Sequence, residues 1–499
     1  MSADPTLLDS AFPLSLAFDD VLLEPGASEV LPHQCQTATQ LGPLGLRLPI
    51  LSAAMDTVTE SQTAIAMALM GGLGVLHKNL SIEQQAAEVR RVKKHQHAVI
   101  THPVTVLADQ TVAELRSIME TTGITGFPVI DSSGVLVGMC TSRDVRYHEN
   151  DQDRVSTVMS APARSLPAGA TREQAMRFFR ENRVEKLPLI DAQGKLKGLM
   201  TSRDLRQATH HPEAVRDSRG SLTVAAAIGV GSVEGLERAQ ALVQAGVDCL
   251  VVDSAHGHSD GVMSTVRQIK KQWPELTIIG GNVATSEGAV ALLRAGADVI
   301  KVGIGPGSIC TTRIVSGVGV PQFTAVWEAS RAAAKYRPEA GVIADGGIRY
   351  SGDVTKALAA GAHAVMIGSL FAGTDESPGE TILYMGRSYK LYRGMGSLGA
   401  MKKGGKERYR QGDVRDDRKL VPEGVEAKVP HRGSLAQVVH QLVGGLRAGM
   451  GYVGARDLKE LREKSRFRRI TTGGLRESHV HDVSITAEAP NYSSGMGGE

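Results

Sequence analysis

The feature that most constrains the fold of this sequence is a regular alternation of short apolar runs and longer amphipathic stretches. Eight apolar runs each end in a loop rich in Gly, Ser, Asp or Thr, which is the pattern of buried strands followed by turns. The runs are 49–52, 74–77, 224–228, 249–253, 277–280, 299–302, 341–344 and 364–367, and the helical segments between them include 235–245, 286–295, 323–336 and 351–360. Eight βα units predict an α/β fold, the TIM (β/α)8 barrel, whose active site lies at the carboxyl ends of the strands.

An internal repeat interrupts the alternation after the second run. The segment GFPVIDSSG at 126–134 aligns with LPLIDAQG at 187–194, and TSRD recurs at 141–144 and 201–204. Each copy predicts a helix (112–121 and 172–182), a strand, a glycine turn, a second strand and a capped helix start. The predicted domains are the first part of the barrel at 1–94, two repeats at 97–150 and 154–208, the second part of the barrel at 212–480 and a tail at 481–499. Such an insertion is tolerated where its two ends lie close together.

Composition and charge exclude several classes of protein. The 56 basic and 53 acidic residues are mixed along the chain and give a formal net charge of +3, so no strong field favours nucleic acid or a membrane as a partner. The sequence has no run of about 18 apolar residues and no secretory signal at its start, and we therefore expect a cytoplasmic protein. Its four cysteines show no CxxC spacing and are predicted to be free thiols.

The loop after the sixth run, 303–312, has the sequence GIGPGSICTT. Its glycines allow the backbone to approach a ligand or an ion, and its Ser and Thr residues supply hydroxyl groups. Cys310 is the only cysteine in such a loop, because Cys249 lies in a predicted strand and Cys140 in a repeat, where packing roles are usual. From its position, Cys310 is the candidate nucleophile.

Two further loops have the composition of phosphate sites. They are ADGGI at 344–348 and IGSL at 367–370, after the seventh and eighth runs, where barrels commonly bind phosphate. We therefore expect a monophosphate ligand. Asp345 would repel phosphate and is assigned to ribose hydroxyls, with a turn or N-cap role as the alternative. His256 and His258 form an HxH pair, but without neighbouring Cys or acidic ligands this pattern is weak evidence for zinc.

A charged segment between 396 and 432 contains KKGGKERY at 402–409 and is predicted to be irregular. An unstructured stretch of this length is either functional or disordered. Taken alone, its basic part at 402–410 would be interpreted by default as a solvated loop.

Together these motifs resemble the inosine 5′-monophosphate (IMP) dehydrogenase family, in order and over nearly the whole chain. The matching segments are FDDVLL at 18–23, SAAMDT at 52–57, GVLHKN at 74–79, DSAHGH at 253–258, the Cys310 loop, DGG at 345–347 and YRGMG at 392–396. The resemblance implies NAD-dependent oxidation of IMP to xanthosine 5′-monophosphate (XMP) in guanine nucleotide biosynthesis. The Cys310 thiolate would attack carbon-2 of the hypoxanthine ring, hydride would pass to NAD, and water would hydrolyse the covalent thioimidate.

The resemblance also implies a role for individual residues. The catalytic residues would be Cys310, Thr312, Arg408, Tyr409 and Glu423. The IMP-binding residues would be Ser52, Ser308, Asp345, Gly346, Gly347, Gly368, Ser369, Tyr392, Arg393, Gly394, Met395, Gly396 and Glu423, and the NAD-binding residues Asp253, Ser254, Gly303, Ile304 and Gly305. The segment 397–432 would be a mobile flap that enters the vacated NAD site. Because arginine is a poor general base at its usual pKa, the base for hydrolysis stays open among Arg408, Thr312 and Glu423.

The repeated module resembles a tandem CBS pair that senses purine nucleotides. Asp144 and Asp204 would contact ribose there, and the alternative is that both are helix N-caps. The resemblance further implies a K⁺ site formed by the carbonyls of Gly305, Gly307 and Cys310. Residues of a neighbouring subunit complete that site, and those at the matching tail positions are Glu477, Ser478 and His479. The chain would therefore form a homotetramer, with an octamer left open.

Two other functions remain as alternatives. One is a guanosine 5′-monophosphate (GMP) reductase, which shares the barrel and the cysteine, and the inserted module and the long flap count against it. The other is a catalytically silent nucleotide-binding regulator, against which the filled catalytic positions count.

Overall fold

The computed structural model describes residues 13–95, 100, 103–202, 211–409 and 411–492. These residues form two compact units, the first within Met1–Lys93, Glu213–Asp217 and Leu222–Glu499 and the second within Lys94–Pro212 and Ser218–Ser221. Among the described residues, none of the helices has both the length and the apolar character that a membrane span requires.

The first unit contains a closed barrel of eight parallel strands in the order β3-β4-β5-β6-β7-β8-β1-β2. The strands are β1 (Ile50–Ser52), β2 (Leu73–Leu76), β3 (Ala225–Ile228), β4 (Cys249–Asp253), β5 (Thr277–Val283), β6 (Val299–Val302), β7 (Gly341–Asp345) and β8 (Ala364–Ile367). Strands covered by helices outside and by packed side chains inside require apolar residues on both faces. All of their residues are buried except Asp345, which ends β7 and is half-buried. The predicted TIM barrel is confirmed.

A helix follows each strand. The helices are α1 (Ser61–Met70), α2 (Ile82–Lys94), α3 (Arg238–Gln244), α4 (Asp260–Gln272), α5 (Ser286–Ala295), α6 (Gln322–Tyr336), α7 (Ser351–Ala359) and α8 (Leu435–Val453). Local signals set their ends: Thr285 Oγ1 accepts from the Gly288 N–H to cap α5, and Gly296 ends it with a φ of +107°. The predicted helix 235–245 begins earlier than expected, because a π-helical turn, Ser232–Glu237, precedes α3.

The second unit contains two copies of one arrangement. The first has helix Val112–Thr122 and strands Val106–Leu107, Gly126–Ile130 and Leu136–Thr141, and the second has helix Arg172–Asn182 and strands Leu166–Pro167, Lys186–Ile190 and Leu196–Thr201. Each set of strands forms a sheet in chain order. Thr111 and Thr171 cap the two long helices in the same way, by accepting from the backbone N–H three residues on. The short helices Ser142–Val145 and Val155–Val158 complete the unit.

Smaller elements surround the barrel. They are the 3₁₀ turns Phe18–Asp20 and Pro32–Gln34, the paired strands Val21–Leu23 and Phe467–Arg469, the hairpin Thr39–Leu41 with Leu44–Leu46, and the short helices Thr312–Val315, Ser369–Ala372, Leu458–Lys464 and Thr472–Ser478. A three-stranded antiparallel sheet joins Thr381–Tyr384, Arg387–Arg393 and Glu426–Pro430.

The charged segment 397–432 is more regular than the sequence predicts. It contains the helix Leu398–Lys402, the 3₁₀ turns Gly405–Tyr409 and Asp417–Lys419, and the strand Glu426–Pro430. The strand forms because its backbone pairs with Arg387–Arg393, a partner that local sequence does not reveal.

Candidate active site

A cavity of about 360 Å³ lies at the carboxyl ends of the barrel strands. The loops after β4, β6, β7 and β8 meet the charged segment 397–432 in this cavity. The predicted site residues that line it are Asp253, Gly303, Ile304, Gly305, Gly307, Ser308, Cys310, Thr312, Asp345, Gly346, Gly347, Gly368, Ser369, Tyr392, Gly394, Met395, Arg408, Tyr409 and Glu423. The fold thus brings together residues that are up to 170 positions apart in the chain.

Cys310 is the cysteine that faces the cavity. It is half-buried, and its Sγ lies 3.2 Å from Thr312 Oγ1. Cys35, Cys140 and Cys249 are fully buried. Burial raises the pKa of the Cys140 thiol to about 12, and it raises the pKa of Cys249 as well. Only Cys310, among the four, combines access to a ligand with a polar neighbour.

The backbone of the Cys310 loop requires glycine. Gly303 has a φ of +152°, and a Cβ built there would lie 2.2 Å from the Asp345 carbonyl oxygen. Gly305 has a φ of +80°, which also favours glycine. The Arg313 Nε–H donates to the Ile304 carbonyl at 3.0 Å and fixes the first turn of the loop. The loop therefore passes against β7 and presents its backbone to the cavity.

The loops after β7 and β8 offer backbone groups to the same cavity. Gly346 and Gly347 both have positive φ, and Gly368 leaves room for Tyr392, since a Cβ there would lie 2.9 Å from Tyr392 Oη. Burial raises the pKa of the Tyr392 phenol, which stays protonated and can donate a hydrogen bond. This side of the cavity suits an anionic group held by neutral donors.

Two residues that the sequence analysis did not assign connect the predicted ligand carboxylates. Lys301 Nζ in β6 lies 2.6 Å from Asp345 Oδ2 and 3.1 Å from Asp253 Oδ1. Asn282 donates to Asp345 Oδ2 at 2.9 Å and to the Gly303 carbonyl at 2.7 Å. All four side chains line the cavity. A lysine and an asparagine in otherwise apolar strands were the available signal, because buried polar groups need partners.

The flap residues lie inside the cavity. The Arg408 guanidinium forms an ion pair with Asp253, and the Ala255 N–H donates to the Arg408 carbonyl at 3.1 Å. Burial raises the pKa of Tyr409, whose ring fits against Gly396, where a Cβ would lie 2.7 Å away. The Thr311 N–H donates to the Glu423 carbonyl at 2.9 Å. The segment therefore contacts both the Cys310 loop and the end of β4.

Four of the predicted IMP- and NAD-binding residues, all within the described chain, lie outside the lining of the cavity: Ser52, Ser254, Arg393 and Gly396. The Ser52 hydroxyl is buried and accepts a hydrogen bond from Thr59 Oγ1 at 2.8 Å. Arg393 pairs with Asp56, its Nε 3.0 Å from Oδ1. The position of Arg393 follows from the alternation of side chains along a strand, because Tyr392 points to the cavity and the next residue, Arg393, points away from it. The side chains of Ser52 and Arg393 therefore support the site from behind.

The predicted K⁺ residues fall into two groups in the described chain. Gly305, Gly307 and Cys310 line the cavity, whereas Glu477, Ser478 and His479 lie in and after the helix Thr472–Ser478, outside the lining. Among the described residues, no group of three or more His, Cys, Asp or Glu side chains has an arrangement that could hold a metal ion.

In the repeats, Asp144 Oδ2 accepts from the Thr141 N–H and hydroxyl, each at 2.7 Å. This geometry is that of a side chain held at a helix start. Asp204 lies outside the described residues.

Comparison with known proteins gives consistent matches. The family model of the IMP dehydrogenase / GMP reductase domain matches residues 15–481. The inosine-5′-monophosphate dehydrogenase of Aquifex aeolicus is 56% identical over 96% of this chain and 97% of its own, and that of Bacillus subtilis is 51% identical over 96% and 98%. A solved structure of GMP reductase from Trypanosoma brucei, a cysteine-to-alanine variant in complex with GMP, matches at 39% identity with a TM-score of 0.84, over 96% of this chain and 100% of that chain.

Proposed function

Since the chain belongs to the IMP dehydrogenase / GMP reductase family, we propose that the cavity at the end of its barrel performs the dehydrogenase reaction through Cys310. The activity of the chain is the oxidation of IMP to XMP with a nicotinamide cofactor. Dehydrogenases of that name are 51% and 56% identical over 96% of the chain, whereas the reductase structure is 39% identical.

The ion pair between Arg408 and Asp253 is the observation that carries the mechanism. Asp253 is 5% exposed at the end of β4, and its carboxylate suits the hydroxyl groups of a cofactor ribose. The flap arginine engages the same carboxylate. A cofactor that binds Asp253 therefore has to displace Arg408, and departure of the cofactor allows the flap to return.

The first half of the reaction uses the Cys310 loop and the two phosphate-type loops. The loops after β7 and β8 hold the nucleotide phosphate, and Asp345, fixed by Lys301 and Asn282, accepts from the ribose. The Cys310 thiolate then forms a bond to carbon-2, and the hydride leaves that carbon. NAD, when bound beside Asp253, Gly303 and Gly305, supplies the hydride acceptor. Cys310 remains attached to the ring as a thioimidate.

The second half requires water where the cofactor was. With the flap returned, water adds to carbon-2 and loses a proton, the bond to Cys310 Sγ breaks, and XMP is released. Thr312 Oγ1 is 3.2 Å from the sulfur, and Arg408 and Glu423 line the same cavity. The proton acceptor is one of these three groups, and substituting Thr312, Arg408 and Glu423 one at a time distinguishes between them.

GMP reductase is the second candidate because a solved GMP reductase matches this chain over 96% of its length. A match of that extent includes most of the inserted unit. The insertion therefore does not distinguish the two activities, contrary to the expectation from the sequence. The presence of Arg408 beside Asp253 favours the dehydrogenase, since only that reaction needs hydrolysis of the intermediate after the cofactor leaves.

The test is formation of NADH, followed at 340 nm, from IMP and NAD. We expect Cys310→Ala to abolish it and Cys35→Ala, a change at a buried thiol away from the cavity, to retain it. NADH formation by Cys310→Ala would overturn the covalent mechanism. Consumption of NADPH with GMP, without turnover of IMP, would identify a reductase instead.

Three further properties belong to the same proposal. The carbonyls of Gly305, Gly307 and Cys310 would hold K⁺ and order the loop, and the tail of a neighbouring subunit would complete that site in a homotetramer. The second unit would act as a CBS pair, supported by its two equivalent copies. A cytoplasmic location stays a prediction. Turnover measured with K⁺ replaced by Na⁺ tests the ion site, turnover with ATP or GTP added tests the nucleotide response of the second unit, and the mass in solution tests the homotetramer.

A further inference from the structure

Lys78 is a buried charged residue for which the mechanism above has no role. It follows β2, and its side chain is 3% exposed beside a second cavity of about 320 Å³. Three oxygens face its ammonium: the Gly404 carbonyl at 3.5 Å, Glu234 Oε2 at 3.7 Å and Glu407 Oε2 at 3.8 Å. Since a buried ammonium is costly without compensating charge, these three oxygens are what stabilise the charged side chain of Lys78.

The two carboxylates differ in what else holds them. Glu234 follows β3 and is bound by the Arg238 guanidinium at 3.0 and 3.1 Å. Glu407 belongs to the flap turn Gly405–Tyr409, and its side chain is 42% exposed. The pKa of Lys78 is lowered, chiefly by burial, and the charges of Glu234 and Glu407 oppose this shift. Lys78 therefore attracts one group that is already fixed to the barrel and one group that belongs to the flap.

We propose that Lys78 is a positioning residue that holds the flap in the place where Arg408 pairs with Asp253. This inference rests on the proposed function. Glu407 and Arg408 are adjacent, so a contact that fixes the first also limits the position of the second. When the flap withdraws, Lys78 loses Glu407 and the Gly404 carbonyl but keeps Glu234. Its attraction thus stabilises the state that hydrolyses the intermediate, and it contributes nothing to the state that binds the cofactor.

The test is rapid mixing of the full-length Lys78→Met variant with IMP, NAD and K⁺. NADH formed in the first turnover reports hydride transfer, and acid quenching followed by mass spectrometry reports the nucleotide attached to Cys310. We expect unchanged hydride transfer, a hydrolysis rate lowered about three- to tenfold as for loss of a partly exposed ion pair, and a larger fraction of attached nucleotide. A weaker flap should also compete less with NAD.

Two further variants keep the test decisive if Lys78→Met is unstable. Glu407→Gln changes a partly exposed side chain and should slow the same step, and the double variant should be no slower than the slower single variant. Lys93→Met is the matched control, because Lys93 also lies between two carboxylates, Asp217 and Asp248, each at 2.8 Å, but at the amino end of β4. It should leave the ratio of hydrolysis to hydride transfer unchanged.

Equal slowing of hydride transfer and hydrolysis in Lys78→Met would overturn the proposal, because a general loss of structure affects both. Additive effects of Lys78→Met and Glu407→Gln would do the same. Failure of the proposed function has a different signature: the unmodified chain would then form no NADH and no nucleotide adduct on Cys310, and both proposals would fall.

Discussion

Lys301→Met tests whether one lysine organises both halves of the active site. The change keeps a side chain of similar length in β6 but removes the charge between Asp253 and Asp345. Those carboxylate side chains are 6% and 19% exposed, so neither is fully compensated by water. Both would keep one partner, since Arg408 contacts Asp253 and Asn282 contacts Asp345.

The expected magnitude follows from this burial. Removing one partner of a buried ion pair costs about 3–5 kcal/mol, and the remaining partners place the cost near about 3 kcal/mol here. We expect the free energy of unfolding of the barrel to fall by that amount. Because Asp345 would lose its closest contact, the Kd for IMP should also rise, by about tenfold for each 1.4 kcal/mol of binding free energy that is lost.

The assay combines urea unfolding of the barrel at pH 7 with calorimetric titration of IMP into the enzyme. Lys301→Met combined with Asp253→Asn provides the internal check, because removing one of the two buried charges that lost Lys301 should restore part of the stability. Unchanged stability and unchanged IMP affinity in Lys301→Met would refute the reasoning. So would strictly additive losses in the double variant.

Three other changes have defined outcomes. Burial lowers the pKa of His363 from 6.5 to about 4. The unfolded chain therefore takes up the proton first as the pH falls, and stability is lost between about pH 6.5 and about pH 4. His363→Asn should recover about 3 kcal/mol at pH 4, measured by urea unfolding as the difference between the free energies of unfolding at pH 7 and pH 4. Gly303→Ala should abolish turnover while leaving the circular dichroism spectrum unchanged, because its Cβ would lie 2.2 Å from the Asp345 carbonyl oxygen; normal NADH formation would contradict this. Asp56→Asn should raise the KM for IMP and lower the free energy of unfolding by about 2 kcal/mol, since it removes a charged hydrogen bond to Arg393; an unchanged KM would show that Arg393 does not position the neighbouring Tyr392.

Most of the barrel could be predicted because each strand is a short apolar run that ends in turn residues. The predicted and observed strands agree within three residues, and the largest difference is the extension of β5 to Val283. That extension includes Asn282, which lies two residues beyond the end of the predicted run. Its partners Gly303 and Asp345 are far along the chain, and closure of the barrel brings them close.

The candidate site was predictable where function requires an unusual local sequence, as in the glycines around Cys310. It was less predictable where a side chain could point to either face of a strand. Arg393 follows Tyr392 directly, but only the structure reveals that Asp56 binds it. The contact between Lys78 and Glu407 joins residues more than 300 positions apart, and no local pattern indicates it.

Closure of the barrel has a consequence for synthesis of the chain. β1 pairs with β8, which leaves the ribosome more than 300 residues later, and β2 pairs with β3 only after the inserted unit has been translated. At about 5–20 residues per second, the edge of β1 waits roughly 15–60 s for its neighbour. During that interval the nascent chain exposes apolar strand edges that other chains can bind. The yield of folded protein in cells should therefore depend on chaperones that bind nascent chains, even though the completed barrel has no free edge.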